Sequence, residues 1–89
     1  MSTVFIALQT NEETRPIVEA IVQDNPSAVV NEQPAMVKID AQNKLTIRRE
    51  TIEDLIGRPY DLQELQVNLI TISGNLDQTD DEMVLYWNA

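Results

Sequence analysis

The stretch NEETRPIVEAIVQDNPSAVV (residues 11–30) changes from a helical to an extended pattern within a few residues. Apolar side chains recur at helical spacing over residues 17–21, so we predict a helix that begins near Arg15. Asn25 should end this helix, because a residue before proline avoids the helical region of backbone space. A short strand is predicted directly after it, at residues 28–30, so helix and strand alternate along the chain.

The segments on either side of this stretch are predicted to be strands. VFIAL (residues 4–8) is too short for a helix and is rich in residues that favour a buried strand. MVKIDAQNKLTIRR (residues 36–49) alternates apolar and polar side chains on both sides of Ala-Gln-Asn (residues 41–43). This alternation predicts a hairpin whose loop is Ala-Gln-Asn.

The second half of the chain begins with helical signals and continues with strands. ETIEDLIG (residues 50–57) predicts a short helix that ends at Gly57. Asp61 and Glu64 have the spacing of a capping box, which predicts a further single-turn helix. The remaining segments are predicted as a strand at residues 66–73, a turn at Gly74-Asn75, an acidic loop at 75–82 and a last strand at 83–88.

This order of elements predicts an α+β fold. We expect a two-layer sandwich in which a mainly antiparallel β-sheet carries two to three helices on one face. A chain of 89 residues, 43% of them hydrophobic, suits one compact domain, and no linker divides it, so residues 1–89 are expected to form a single domain.

The composition excludes several classes of function. The chain has no histidine and no cysteine, which rules out imidazole and thiolate metal sites and nucleophiles activated by histidine. Its formal net charge of −9 disfavours nucleic acids and anionic membranes as partners and favours a basic protein surface. No apolar run approaches the ~20 residues of a membrane span, and no signal peptide is apparent, so we expect a cytoplasmic protein.

The remaining candidates for catalysis are carboxylates, and their pattern is weak. DQTDDE (residues 77–82) lacks the glycine turn and the alternating ligand spacing of a calcium loop, which favours a solvated loop. The chain's two glycines, Gly57 and Gly74, both lie at predicted turns, so no glycine-rich phosphate loop exists. We therefore predict a protein that acts by binding, with no metal and no cofactor.

Three segments together resemble a known family. They are QDNP (residues 23–26), RRETIEDLIGRPYDLQELQVNLITISGN (48–75) and YWN (86–88). They are similar to the small effector, or regulatory, proteins of bacterial multicomponent diiron monooxygenases, and most of all to the phenol hydroxylase regulatory component. The most specific part is residues 57–69, where Gly-Arg-Pro-Tyr leads into QELQVNL.

The resemblance implies a non-catalytic subunit without a cofactor. Such proteins bind the oligomeric diiron hydroxylase component and reshape its metal site. They couple electrons from a separate NADH reductase to oxygen activation and aromatic hydroxylation. The resemblance therefore implies a hydroxylase partner and a functional interplay with the reductase.

The resemblance also implies which residues face the partner. In relatives the asparagine of the Asp-Asn-Pro step points toward the hydroxylase helices, and here that residue is Asn25. Asn25 is equally expected to cap the end of the first helix, and the two roles are compatible. The other expected contacts are Ser27, Met36 and the turn formed by Ser73, Gly74 and Asn75.

Two other classes of function stay open at this point. One is a small acidic regulatory domain that binds a metabolite between helices and sheet, which predicts stabilisation of the isolated protein by its ligand. The other is a minimal carboxylate-dependent hydrolase, which predicts turnover without any partner.

Overall fold

Alternating polar and apolar residues build the strands, which belong to two antiparallel sheets. The computed structural model describes residues 3–87. Along this part of the chain the elements are β1 (Thr3–Gln9), α1 (Thr14–Asp24), β2 (Val29–Gln33), β3 (Met36–Gln42), β4 (Lys44–Arg48), α2 (Arg49–Ile56), a 3₁₀ turn (Leu62–Glu64), α3 (Leu65–Asn68), β5 (Leu69–Ser73), β6 (Asn75–Gln78) and β7 (Glu82–Tyr86). The predicted α+β class is confirmed.

The two sheets have different sizes and share one core. The larger has the strand order β2-β3-β1-β5 and the smaller has the order β4-β7-β6. One face of β1 and β3 is buried against the apolar side of α1, where Ile17, Ala20 and Ile21 are inaccessible to solvent. Leu45, Ile47, Met83 and Leu85 of the smaller sheet join the same cluster. Burial of these apolar surfaces is the main stabilising term in a domain of this size.

The predicted hairpin between residues 36 and 49 is wrong. Both strands exist, but β3 pairs with β1 and β2, whereas β4 pairs with β7 in the other sheet. Asn43 adopts a left-handed conformation, with φ of 68°, and turns the chain from one sheet into the other. The true hairpin is β2–β3, in which Gln33 lies opposite Met36. Alternation identifies a half-buried strand but carries no information about its partner.

Gly74 makes the second passage between the sheets, as β5 leads into β6. Its φ is 126°, and a Cβ atom there would lie 2.9 Å from Val4 Cγ1 and 3.3 Å from the Tyr86 carbonyl oxygen. The predicted turn at Gly74 is thus confirmed, and only glycine fits it without strain. The predicted acidic loop is wrong over residues 75–78, which form β6 opposite β7, so only Thr79 to Asp81 connect the two strands.

The observed helices agree with the predicted ones more closely than the observed strands do. α2 ends at Gly57, whose φ is 74° and whose N–H donates to the Glu53 carbonyl. The capping box is confirmed, because Gln63 N–H donates to Asp61 and Asp61 N–H donates to Glu64. The helical segment that it starts continues through Asn68, so residues 66–68 are not part of the predicted strand. The final Asn88 of the YWN segment lies outside the described residues.

Candidate functional site

The Asp-Asn-Pro step forms the corner between α1 and the smaller sheet. The Asn25 side chain donates to the carbonyl oxygens of Ile21 at 2.7 Å and Thr46 at 2.6 Å, and accepts from Thr46 N–H at 3.0 Å. Its backbone N–H also bonds to Ile21 and Val22. The amide therefore caps α1 and pairs with the edge of β4 as a strand would, which satisfies backbone groups at both places. The expected capping role of Asn25 is confirmed.

Ser73 lies on the solvent-facing side of the larger sheet, opposite its core face. It is paired with Phe5, which is paired with Asp40, which is paired with Val29. These four residues form one row across all four strands of the larger sheet. We define the outer face as this row together with the next one, formed by Asn31, Lys38, Ala7 and Thr71.

Contacts across the outer face hold its charged groups together. Lys38 Nζ lies 4.4 Å from the centre of the Phe5 ring and 3.5 Å from Asp40 Oδ1. Asn31 Nδ2 donates to Asp40 Oδ2 at 2.7 Å. Val29 keeps 58% of its surface exposed beside them. The face thus combines apolar surface with a few fixed polar groups, a composition found at protein–protein contacts.

The expected contact residues fall into two groups. Ser27 is exposed and shares a shallow groove with Thr3 and Asp40, at the same end of the larger sheet as Ser73, Gly74 and Asn75. Met36 faces outward as well, but it lies four residues along β3 from Asp40, which is about 13 Å. Ser27 adjoins β2 and Ser73 ends β5, which are the two edge strands of the larger sheet, so the first group spans one end of this sheet over about 14 Å. Met36 extends that surface along β3.

The opposite end of α1 carries a closed polar network. Thr14 is 2% exposed, and its hydroxyl lies 2.8 Å from the Gln9 carbonyl oxygen and accepts from Asn11 N–H at 3.1 Å. Asn68 is 5% exposed, accepts from the Asn11 side chain at 2.8 Å and donates to Glu13 at 3.1 Å. Asn68 thereby ties the turn before α1 to the end of α3, which is a structural role.

A small groove of about 80 Å³ adjoins this network between α1, α2 and α3. Tyr60 lines it, and burial, followed by the negative charges of Glu64 and Glu13, raises the pKa of this phenol from 10.0 to about 12. The Arg58 guanidinium lies 5.9 Å from the centre of the Tyr60 ring. A phenol that stays protonated at neutral pH can donate a hydrogen bond but cannot serve as a base.

Metal-binding and membrane-spanning features are not found in the part of the chain that the structure describes. Within residues 3–87 no group of three or more acidic side chains is arranged to hold a metal ion. No helix in the same range is long and apolar enough to cross a bilayer. The features that the described residues do offer are the outer face of the larger sheet and the corner at Asn25, and both are surfaces suited to contact with another protein.

The family follows from comparison with known proteins. The chain belongs to the MmoB/DmpM family, whose sequence pattern matches residues 2–86. It is 55% identical over 86 residues to the stimulatory component DmpM of phenol 2-monooxygenase from Pseudomonas sp. (strain CF600), which covers 97% of this chain and 96% of that protein. It is 25% identical over 75 residues to the effector subunit of an alkene monooxygenase system from Xanthobacter autotrophicus (strain ATCC BAA-1158 / Py2), covering 82% and 74% of the two chains.

Solved structures have the same fold. A chain in a phenol hydroxylase–regulatory protein complex superposes with a TM-score of 0.94 and 46% identity, over 98% of this chain and 100% of that one. The regulatory protein B of soluble methane monooxygenase superposes with a TM-score of 0.76 at 20% identity, over 97% and 65% of the two chains. At that identity the second likeness establishes the fold alone.

Proposed function

We propose that this chain is the regulatory subunit of a phenol hydroxylase and acts by binding the diiron hydroxylase component. The observation that carries the proposal is the match, over nearly the full length of both chains, to a chain in a phenol hydroxylase–regulatory protein complex. The 55% identity to a phenol 2-monooxygenase stimulatory component supports it independently.

The mechanism is differential binding. A subunit without a catalytic site changes the activity of another protein only by as much as it prefers one of its conformations. We infer that this chain binds more tightly to the hydroxylase conformation that activates oxygen. By reciprocity, conditions that favour that conformation should tighten the binding of this chain.

The contact surface we propose is the end of the larger sheet at which β1 begins and β5 ends, extended along β3. It comprises Asn25, Ser27, Met36, Ser73, Gly74 and Asn75. Ser27 and Asn75 are exposed and Ser73 is half-buried at this end of the sheet, and the exposed apolar surface of Val29 lies beside Ser27. The net charge of −9 would speed docking onto a basic surface of the hydroxylase. Asn25 would contribute chiefly by fixing the end of α1 that leads to Ser27, since its amide is already bonded to Ile21 and Thr46.

We further propose a cytoplasmic location and a functional interplay with the NADH reductase. If the chain and the reductase share one surface of the hydroxylase, excess chain should inhibit turnover. A turnover rate that never falls at high excess would count against a shared surface.

A reconstitution titration tests the proposed function. Purified hydroxylase and reductase are held constant, this chain is added, and phenol hydroxylation is measured with NADH as the electron source. We expect no activity from the chain alone and a saturable rise in rate as it is added. A flat titration would reject the regulatory role.

A further inference from the structure

The carboxylate of Asp24, the last residue of α1, has one oxygen without a hydrogen-bond partner. Its Oδ2 is shielded from solvent, yet no donor among residues 3–87 reaches it. The side chain as a whole is only half-buried, and its other oxygen, Oδ1, is not shielded in this way, so a group from another molecule can approach the carboxylate at Oδ1. A buried acceptor without a donor is uncommon in folded proteins and calls for an explanation.

The local sequence denies Asp24 its usual donors. An aspartate commonly accepts from the backbone N–H two residues ahead, but that position is Pro26, which has no N–H. The backbone N–H of Asn25 is bonded to Ile21 and Val22, and its side-chain amide is bonded to Ile21 and Thr46. The donors closest in the chain are therefore absent or already used.

No cation compensates the charge either. The last turn of α1 contains no basic residue. Within the described residues the ion pairs use Lys38, Arg49 and Arg58, all with carboxylates other than Asp24. A negative side chain at a helix C-terminus is also unfavourable, because the helix dipole is negative there. Asp40 Oδ1 is a second shielded oxygen without a hydrogen bond, but it lies 3.5 Å from Lys38 Nζ, whereas Asp24 forms no ion pair among residues 3–87. Asp24 thus violates several local rules at once, as functional positions often do.

We propose that Asp24 is a recognition residue that accepts a cationic side chain of the hydroxylase, best an arginine guanidinium. A guanidinium offers five N–H donors, which suit a carboxylate beside the free carbonyl groups of a helix end. Pairing at Oδ1 would give the carboxylate a donor and neutralise its charge at the same time. This inference rests on the proposed function, because the partner is the hydroxylase.

The test compares Asp24→Asn with a matched control, Asp80→Asn. Both remove one negative charge, and Asp80 is exposed in the turn between β6 and β7. Two quantities are measured for each protein: the melting temperature, and the concentration that half-saturates stimulation of phenol hydroxylation by hydroxylase and reductase. The measurements are repeated at raised ionic strength, which screens charge pairs.

We expect Asp24→Asn to raise the melting temperature by roughly 4 °C, since it removes an unfavourable charge from the helix end. The same change should raise the half-saturating concentration roughly tenfold or more, because the partner's cation loses its carboxylate. Asp80→Asn should alter neither quantity. Raised ionic strength should increase the half-saturating concentration of the wild type more than that of Asp24→Asn, since only the wild type has the charge pair to be screened.

Three outcomes would overturn the proposal. In the first, Asp24→Asn has the same half-saturating concentration as the wild type, which would show that no group of the hydroxylase pairs with this carboxylate. In the second, Asp80→Asn raises the half-saturating concentration as much as Asp24→Asn does, which would show that binding depends on the net charge of the protein and not on Asp24 itself. In the third, Asp24→Asn melts at a lower temperature. If the wild type itself does not stimulate hydroxylation, both the proposed function and this inference are rejected. If the wild type stimulates and Asp24→Asn has the same half-saturating concentration, only this inference is rejected.

Discussion

The two ends of α1 differ in how their polar groups are satisfied. At the N-terminal end Thr14, Asn11 and Asn68 bond to one another or to neighbouring backbone, and the network closes on Glu13. At the C-terminal end Asn25 is as fully bonded, but the adjacent Asp24 has an oxygen that no described residue reaches. The hydrogen bonds at the N-terminal end therefore serve only to hold the fold together. The C-terminal end has such bonds as well, at Asn25, but it also presents the carboxylate of Asp24, which a partner can pair with.

The largest expected loss of stability follows removal of the Thr14 hydroxyl. Thr14→Val keeps the shape of the side chain but leaves the Gln9 carbonyl and the Asn11 N–H without their partner in a buried site. We expect the free energy of unfolding to fall by about 2–3 kcal/mol. Urea denaturation measures this change, and Thr10→Val, at an exposed neighbouring position, is the control that should cost little.

Alkaline pH should weaken the same end of the molecule through Tyr60. Its pKa is 10.0 in the unfolded chain and about 12 in the folded protein. Below pH 10 the phenol is protonated in both states, so its contribution is fully present. Between these two pKa values the unfolded chain loses the proton first, and stability falls by at most about 3 kcal/mol. Unfolding free energies across this window should fall more steeply for the wild type than for Tyr60→Phe; equal slopes would show that Tyr60 is not the linked group.

At the C-terminal end, removal of the Asn25 amide should cost less. Asn25→Ala leaves Ile21 and both backbone groups of Thr46 without their partner, but water can replace part of the loss at this half-buried site. We expect about 1.5 kcal/mol of destabilisation. Asn31→Ala, which loses one exposed hydrogen bond to Asp40, should cost less than about 0.5 kcal/mol. An Asn25→Ala protein as stable as the Asn31 variant would show that the cap is dispensable.

Local signals predicted the helices well because they act within a few residues. The capping box, the proline after Asn25 and the glycine after α2 each fix backbone groups of their own segment. Strand partners were predicted poorly, since pairing depends on residues far apart in the chain. Asn43 shows this: local alternation places it in a hairpin loop, but its left-handed backbone leads into β4, which pairs with β7, 34 to 42 residues further along the chain. β6 was not predicted, because Asn75–Gln78 has few residues that favour strands.

The sequence revealed the candidate site only in part. Asn25 was expected at the end of α1, but its bonds to Thr46 join residues 21 positions apart and cannot be read from the local pattern. The outer face depends on the register of four strands, which no local signal supplies. One sequence feature points to the unpartnered oxygen of Asp24: Pro26, two residues later, has no N–H to donate. The structure is needed to show that the N–H groups of Asn25 are also used elsewhere.

The central claim is that one end of α1 serves folding and the other serves binding, and the dissociation constant for the hydroxylase tests it most directly. It should be measured calorimetrically for the wild type, Thr14→Val and Asp24→Asn, at a temperature where all three are folded. We expect Thr14→Val to bind like the wild type despite its lower stability, and Asp24→Asn to bind roughly tenfold more weakly despite its higher stability. Equal affinities for the wild type and Asp24→Asn, or a loss confined to Thr14→Val, would contradict the account.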